Sequence, residues 1–316
     1  MFDVLPDSWK QDPDIETILM SAYQVMRVGS NDFSPGVGHS LTLPELEMSA
    51  LLGYGPINYK DVELQGNWDE QEDVFKYRTM AVDINLEPTG ILFVSCILKK
   101  EGVSKPEDEV RGNLNSFAGL FALKFGRNII YNKLFDHVID LTKKEIEVEG
   151  TDMLVLPEAY PKPIFNDVNL KEFFDYSVNL ASHKDKNRLM LSLEFFKEAI
   201  YLGGSSRAYL HYWQALEILG MPGQNDRYSK IQNKLKAIYS LDGEEDVFYI
   251  KSSYKLRSKI VHEGLKFHVP FVLELYIQCL YKDLFLDVLG CLTEKQSYDY
   301  LKQNEPAIKK ALNFKN

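Results

Sequence analysis

At 316 residues, with 45% hydrophobic and 26% charged side chains, the chain has the length and balance of a globular protein of two ordinary domains. Its formal net charge of −10 excludes holding long nucleic acids by bulk electrostatics, so contact with a polyanion needs a local basic site. No apolar run approaches a membrane span, no basic-then-apolar leader opens the sequence, and Cys96, Cys279 and Cys291 are isolated, which together predict a cytoplasmic address, no membrane partner and no disulfide or thiolate-metal chemistry.

Residues 14–28 have the apolar spacing of an amphipathic helix, stopped by Gly29 and the Pro35-Gly36-Val37-Gly38 loop. A shorter helix is expected from Pro44 to Leu52, and the acidic stretch Asp61 to Asp73 reads as solvated. Val74–Val82 and Gly90–Leu98 are rich in strand formers, and the Glu87-Pro88-Thr89-Gly90 turn between them predicts a β-hairpin. A helix over 110–135 and strand-like Glu145–Val148 and Met153–Leu156 complete a small mixed α/β unit. Pro157, Pro161 and Pro163 then mark a change in composition, which places a domain boundary at about residue 165.

Beyond it the sequence predicts helix after helix, near 168–182, 186–202, 205–220, 226–240, 245–263, 269–290 and 297–312. Breaks fall at Gly203-Gly204, Met221-Pro222-Gly223, Leu241-Asp242-Gly243 and Gly264, and Ser205 and Asp246 are suitable N-terminal caps. The expected fold class is α+β: an N-terminal mixed α/β domain (1–165), then an all-α, up-and-down helical bundle (166–316).

The chemistry concentrates in Tyr249–Gly264. Ile250, Tyr254, Arg257 and Val261 recur at helical spacing, and Gly264 stands where a left-handed cap ends a helix. Arg257 and His262 set a permanent cation beside a side-chain type that exchanges protons near neutral pH, a minimal kit for acting on a phosphodiester. Residues five apart diverge by about 140° on a regular helix, so one helix does not easily aim both at one phosphate. Either the terminal turn is distorted, or two copies meet across a two-fold axis and share a cleft. Lys251, Lys255 and Lys259 add positive charge.

Elsewhere, Arg207 and His211 share a helix face, and either flank that cleft or play a structural part beside Glu217. Glu217 either orients Arg257 through a buried ion pair or is a surface carboxylate. His39, His137, His183 and His268 lack metal-ligand spacing, and Ser205 follows two glycines without a Walker pattern, so neither metal nor cofactor is expected.

Ser206-Arg-Ala-Tyr-Leu-His-Tyr-Trp-Gln-Ala-Leu-Glu217, followed by Leu256-Arg-Ser-Lys-Ile-Val-His-Glu-Gly264, resembles the HEPN superfamily, in particular its Apea-like branch. In that family a helix with an aromatic-x-Ala-Leu-Glu signature packs beside a helix ending in Arg-x4–6-His. The resemblance covers roughly residues 186–290 and leaves the N-terminal region unassigned. It implies a metal-independent endoribonuclease that cleaves RNA by its own 2′-OH and dimerises through this region, commonly in prokaryotic defence or toxin systems. Arg257 would hold the phosphate and His262 act as acid or base, with Ser258, Glu217, Arg207, His211 and Lys259 in support. Ser258 stands where many active members carry Asn, Asp or His. The partners so implied are RNA, a second copy of the chain and a regulatory or antitoxin protein. The rival reading is a non-catalytic module that binds a nucleotide or a partner protein.

Overall fold

The computed structural model describes residues 4–25, 39–55, 58–69, 74–85, 89–126, 130–143, 145–151, 167–221, 223, 227–243, 245–264 and 266–313. The fold is α+β, an antiparallel sheet followed by a helical C-terminal region.

A short helix, α1 (Asp7–Gln11), leads into β1 (Ile15–Val25). Then come β2 (His39–Leu43), β3 (Met48–Gly55), β4 (Asn58–Asp69), β5 (Val74–Asn85), β6 (Thr89–Lys100) and β7 (Val103–Ser104). Helix α2 (Glu107–Phe125) precedes β8 (Ile130–Asp140) and β9 (Glu145–Thr151). Among the described residues the main sheet has the order β2-β3-β6-β1-β8-β9, with β7 on β6, and β4 pairs with β5 apart from it.

The sheet corrects four expectations. The stretch at 14–28 is no helix: its described part is the central strand β1, flanked by β6 and β8. Leu19 and Tyr23 face α2, whereas Ile18 and Met20 face Trp9 of α1. A strand buried on both faces loses the alternation that distinguishes it from a helix. The helix expected at 44–52 shrinks to a single 3-10 turn, Pro44–Leu46, because Glu47 takes a left-handed φ of 51° and Met48 starts β3. The helix expected to run to 135 stops at Gly126, and Ile130 begins β8, whose β-branched and aromatic residues favour a strand. The expected hairpin between β5 and β6 does not form: β6 is filled on both edges by β1 and β3, and β5 pairs with β4. The acidic stretch at 61–73 lies within β4 as far as Asp69. The Pro35–Gly38 loop, the strand-like Met153–Leu156 and the boundary near 165 lie outside the described residues.

The helical region follows the expected punctuation. Its helices are α3 (Asp167–Ser182), α4 (Lys186–Leu202), α5 (Ser206–Gly220), α6 (Ser229–Tyr239), α7 (Ile250–Glu263), α8 (Phe271–Leu289) and α9 (Ser297–Leu312). The apolar residues of α8 recur around most of its circumference, and Leu273, Tyr276, Leu280, Leu284 and Phe285 are fully buried. Burying each such side chain contributes about 1.5–3 kcal/mol before entropy is counted. Tyr281 of α8 stacks on Phe196 of α4 at 4.3 Å, and its hydroxyl meets Ser192 Oγ at 2.9 Å.

Helix α2 joins the halves. It packs on the sheet through Val110, Leu114 and Phe117, and on α3 through Phe117 and Phe121 edge-on to Phe173. Against α4 the two backbones nearly touch: a Cβ at Gly119 would stand 2.5 Å from the Leu193 carbonyl oxygen. Ser116 Oγ donates to the Met190 carbonyl at 2.7 Å in the same seam. One continuous apolar cluster therefore runs from Leu19 of β1 to Leu312 of α9.

Candidate active site on helices α5 and α7

Two caps fix the helices that carry the candidate residues. Ser205 Oγ accepts from the Ala208 amide at 3.0 Å and starts α5. Asp246 does the same for α7 from further upstream, its carboxylate taking the amides of Ile250 at 2.8 Å and Lys251 at 2.9 Å. Gly264 closes α7 with a φ of 66°, the left-handed conformation its position predicts. The helices are tied by Tyr209, whose hydroxyl donates to the Ser253 carbonyl at 2.9 Å, and by Trp213 against Tyr254 at 6.0 Å. Tyr254 in turn stacks on Tyr228 at 5.1 Å.

This packing brings Glu217 and Arg257 together. Trp213 Nε1 donates to Glu217 Oε1 at 2.7 Å, while Glu217 Oε2 lies 3.9 Å from Arg257 Nη2. Arg257 is 26% exposed and Glu217 22%, so the pair sits at the edge of the core and still reaches solvent. The carboxylate is held by the indole, one turn away on its own helix. That i, i+4 spacing is visible in the sequence, although the bond it makes is not.

Helix α7 divides cleanly by face. Ile250, Ser253, Leu256 and Ile260 are buried. Lys251, Lys255, Lys259 and His262 are all exposed, and their spacing puts them within about 80° of one another on the opposite side. Half-buried Ser258 borders this basic row. Arg257 lies on the buried side, between the directions of Ser253 and Ile250 and about 140° from His262, yet stays 26% exposed. One chain therefore presents a basic ridge ending in an imidazole, with the arginine turned about 120–160° away from it, toward α5.

Arg207 and His211 do not join this site. On α5 the His211 direction is about 160° from that of Trp213, and His211 turns to α4, tilted over Phe195 at 5.7 Å. Burial pushes its pKa below the usual histidine value; Glu198 opposes that shift and Arg207 adds to it. Its Nδ1 is buried with no hydrogen-bond partner among the described residues. Arg207 is exposed at the start of α5.

Among the described residues no three His, Cys, Asp or Glu side chains gather as a metal site would require, and no helix is long and apolar enough to cross a membrane. No protein-family model matches this chain, and neither a curated protein nor a solved structure matches it.

Proposed function

We propose that the chain is a metal-independent endoribonuclease of the HEPN type, acting in the cytoplasm in prokaryotic defence or as a toxin. The reading rests on one observation above the others: Arg257 is held beside Glu217 while His262 stands exposed at the end of a row of three lysines. The lysines draw in the RNA backbone, supplying locally the positive charge that an acidic protein lacks overall. Arg257 takes the non-bridging oxygens of one phosphate, and His262 handles the protons. The 2′-oxygen bonds to phosphorus as its proton leaves, the bond to the 5′-oxygen breaks, and that oxygen is protonated. The products are a 2′,3′-cyclic phosphate and a 5′-hydroxyl.

The 140° between Arg257 and His262 favours a homodimer in which each chain supplies part of one cleft. Glu217, braced by Trp213, positions Arg257. A second reading, a non-catalytic module that binds a nucleotide or a partner protein, gains support from that same contact, because Glu217 already counters the Arg257 charge.

The test is cleavage of single-stranded RNA by purified protein in EDTA, with the product ends identified. Cyclic phosphate ends are expected, and His262→Ala should slow the reaction by about 10²–10⁴-fold while folding is unchanged. Wild-type cleavage by that variant, or activity that returns only with magnesium or manganese, rejects the nuclease reading. A monomer by light scattering at micromolar concentration removes the shared cleft.

A further inference from the structure

When RNA is cut by its own 2′-OH, the attacking and leaving oxygens stand roughly in line through phosphorus, on opposite sides of it. One imidazole cannot serve both oxygens at once. The proton leaving the 2′-oxygen therefore needs an acceptor apart from the group that protonates the 5′-oxygen. The guanidinium of Arg257 and the ammonium groups of Lys251, Lys255 and Lys259 only donate hydrogen bonds. We infer that Glu217 is that acceptor, the general base of the cleavage step, and that His262 is the acid.

The Glu217 carboxylate is engaged on one oxygen only. Its Oε1 accepts from Trp213 Nε1 at 2.7 Å, which holds the group in orientation. Its Oε2 lies 3.9 Å from Arg257 Nη2, beyond hydrogen-bond length, so both atoms keep their capacity for a ligand. Both side chains reach solvent. A phosphate oxygen bound to Nη2 would sit about 2.7–2.9 Å from it. A 2′-oxygen poised for attack lies about 3–3.5 Å from its target atom. Oε2 stands at that scale from Nη2, close enough to take the 2′ proton from the nucleotide whose phosphate Arg257 holds. The other charged groups packed at the end of α5 are cations already placed on backbone carbonyls. Lys234 of α6 donates to Leu219, and Arg188 of α4 to Ile218 and Leu219. Arg257 is thus the charge that faces the carboxylate.

The step balances within the site. The 2′-oxygen gives its proton to Glu217 Oε2 and its electron pair to phosphorus. The bond from phosphorus to the 5′-oxygen breaks, and that oxygen takes a proton from the His262 imidazolium. Solvent then removes the proton from Glu217 and returns one to the imidazole. Arg257 and Glu217 face each other across α5 and α7 of one chain, while His262 points about 140° away on α7, so the acid comes from the second copy. Base and acid then approach the phosphate from opposite sides, as an in-line displacement requires. The inference rests on the ribonuclease reading, and its test separates the two.

Full-length wild type, Glu217→Gln and His262→Ala are compared on an RNA whose cut site has been mapped, and on the same RNA with sulfur replacing the bridging 5′-oxygen there. A thiolate leaves without being protonated, so His262→Ala should cut the sulfur substrate within about tenfold of the wild type. Glu217→Gln keeps an acceptor for Trp213, yet should stay about 10²–10⁴-fold slow on both substrates. In a profile of kcat against pH, Glu217→Gln should lose the acidic limb and keep the alkaline one, a change that a purely structural role would not produce. Its affinity for uncleavable 2′-O-methyl RNA should match the wild type. Cleavage by Glu217→Gln within about threefold of the wild type, an unchanged acidic limb, or a loss accounted for by weaker RNA binding overturns the base and leaves the ribonuclease standing. Rescue of Glu217→Gln by sulfur in place of His262→Ala overturns it by reversing the roles. A wild type that leaves RNA uncut removes the ribonuclease reading and the base with it.

Discussion

Asp136 of β8 and the lysines of α7 show two opposite treatments of basic side chains within one acidic protein. In the sheet half, Asp136, only 9% exposed, accepts from the Ser21 hydroxyl, from Lys133 and from Arg111 of α2 at 2.6 Å. There the cations serve the fold, pinning α2 to β8 and β1. On α7, Lys251, Lys255 and Lys259 lie in solvent and form no ion pair among the described residues. A chain with 46 acidic and 36 basic residues has carboxylates to spare, so a row of uncompensated lysines is a choice of placement. Positive charge that does nothing for the fold is free to act on something outside it.

The comparison breaks first at Asp136. Asp136→Ala removes the carboxylate shared by Arg111, Lys133 and Ser21, although Arg111 keeps Glu107, and should cost about 1.5–3 kcal/mol in urea unfolding. A loss under about 1 kcal/mol would mean that the sheet-half cations are no more committed than those of α7.

A smaller effect is expected from pH. Burial holds His211 below the usual histidine pKa, Glu198 opposing and Arg207 reinforcing it; His137 is lowered by burial too, against the pull of Asp136. The folded state then binds fewer protons than the unfolded chain, so stability is full above about pH 6.5 and falls as the pH drops below it. His211→Gln should flatten that part of a thermal-melt profile taken across the window. An unchanged slope would remove His211 as its source.

The smallest change in stability, within about 0.5 kcal/mol, is expected when Lys251, Lys255 and Lys259 are replaced together by alanine. The same variant should reduce the slope of log affinity for single-stranded RNA against log salt by roughly 2, or about 0.7 for each lost phosphate contact. Destabilisation without any change in slope would assign the lysines to the fold and erase the contrast.

The helical half was largely legible because each of its signals is local. Ser205, Asp246 and Gly264 announce helix ends within a few residues, and the 3.6-residue period survives wherever one side of a helix meets solvent. The sheet half was not, since its pairing is set by residues far apart: β6 lies between β1 and β3, which no short turn signal reveals. The candidate site divides in the same way. That Glu217 meets Arg257 was one of two readings of that carboxylate, which spacing within either helix could not decide, and the structure places the two side chains 3.9 Å apart. His211 was misleading because i, i+4 spacing tells which residues share a face but not which neighbour that face meets, and here the neighbour is Phe195.

The near-contact at Gly119 bears on how this protein could be taken apart. Helix α2 belongs by sequence to the sheet, yet α4 rests against it backbone to backbone, and Phe173 of α3 sits against Phe117 and Phe121. Cutting the chain within its proline-rich stretch would strip those partners from α3 and α4 and leave a greasy face in water. The half that carries Arg257 and His262 is thus poorly suited to being transplanted by itself, whether by an experimenter trimming a clone or by recombination shuffling gene fragments. To travel intact it would have to bring α2, and with α2 the sheet.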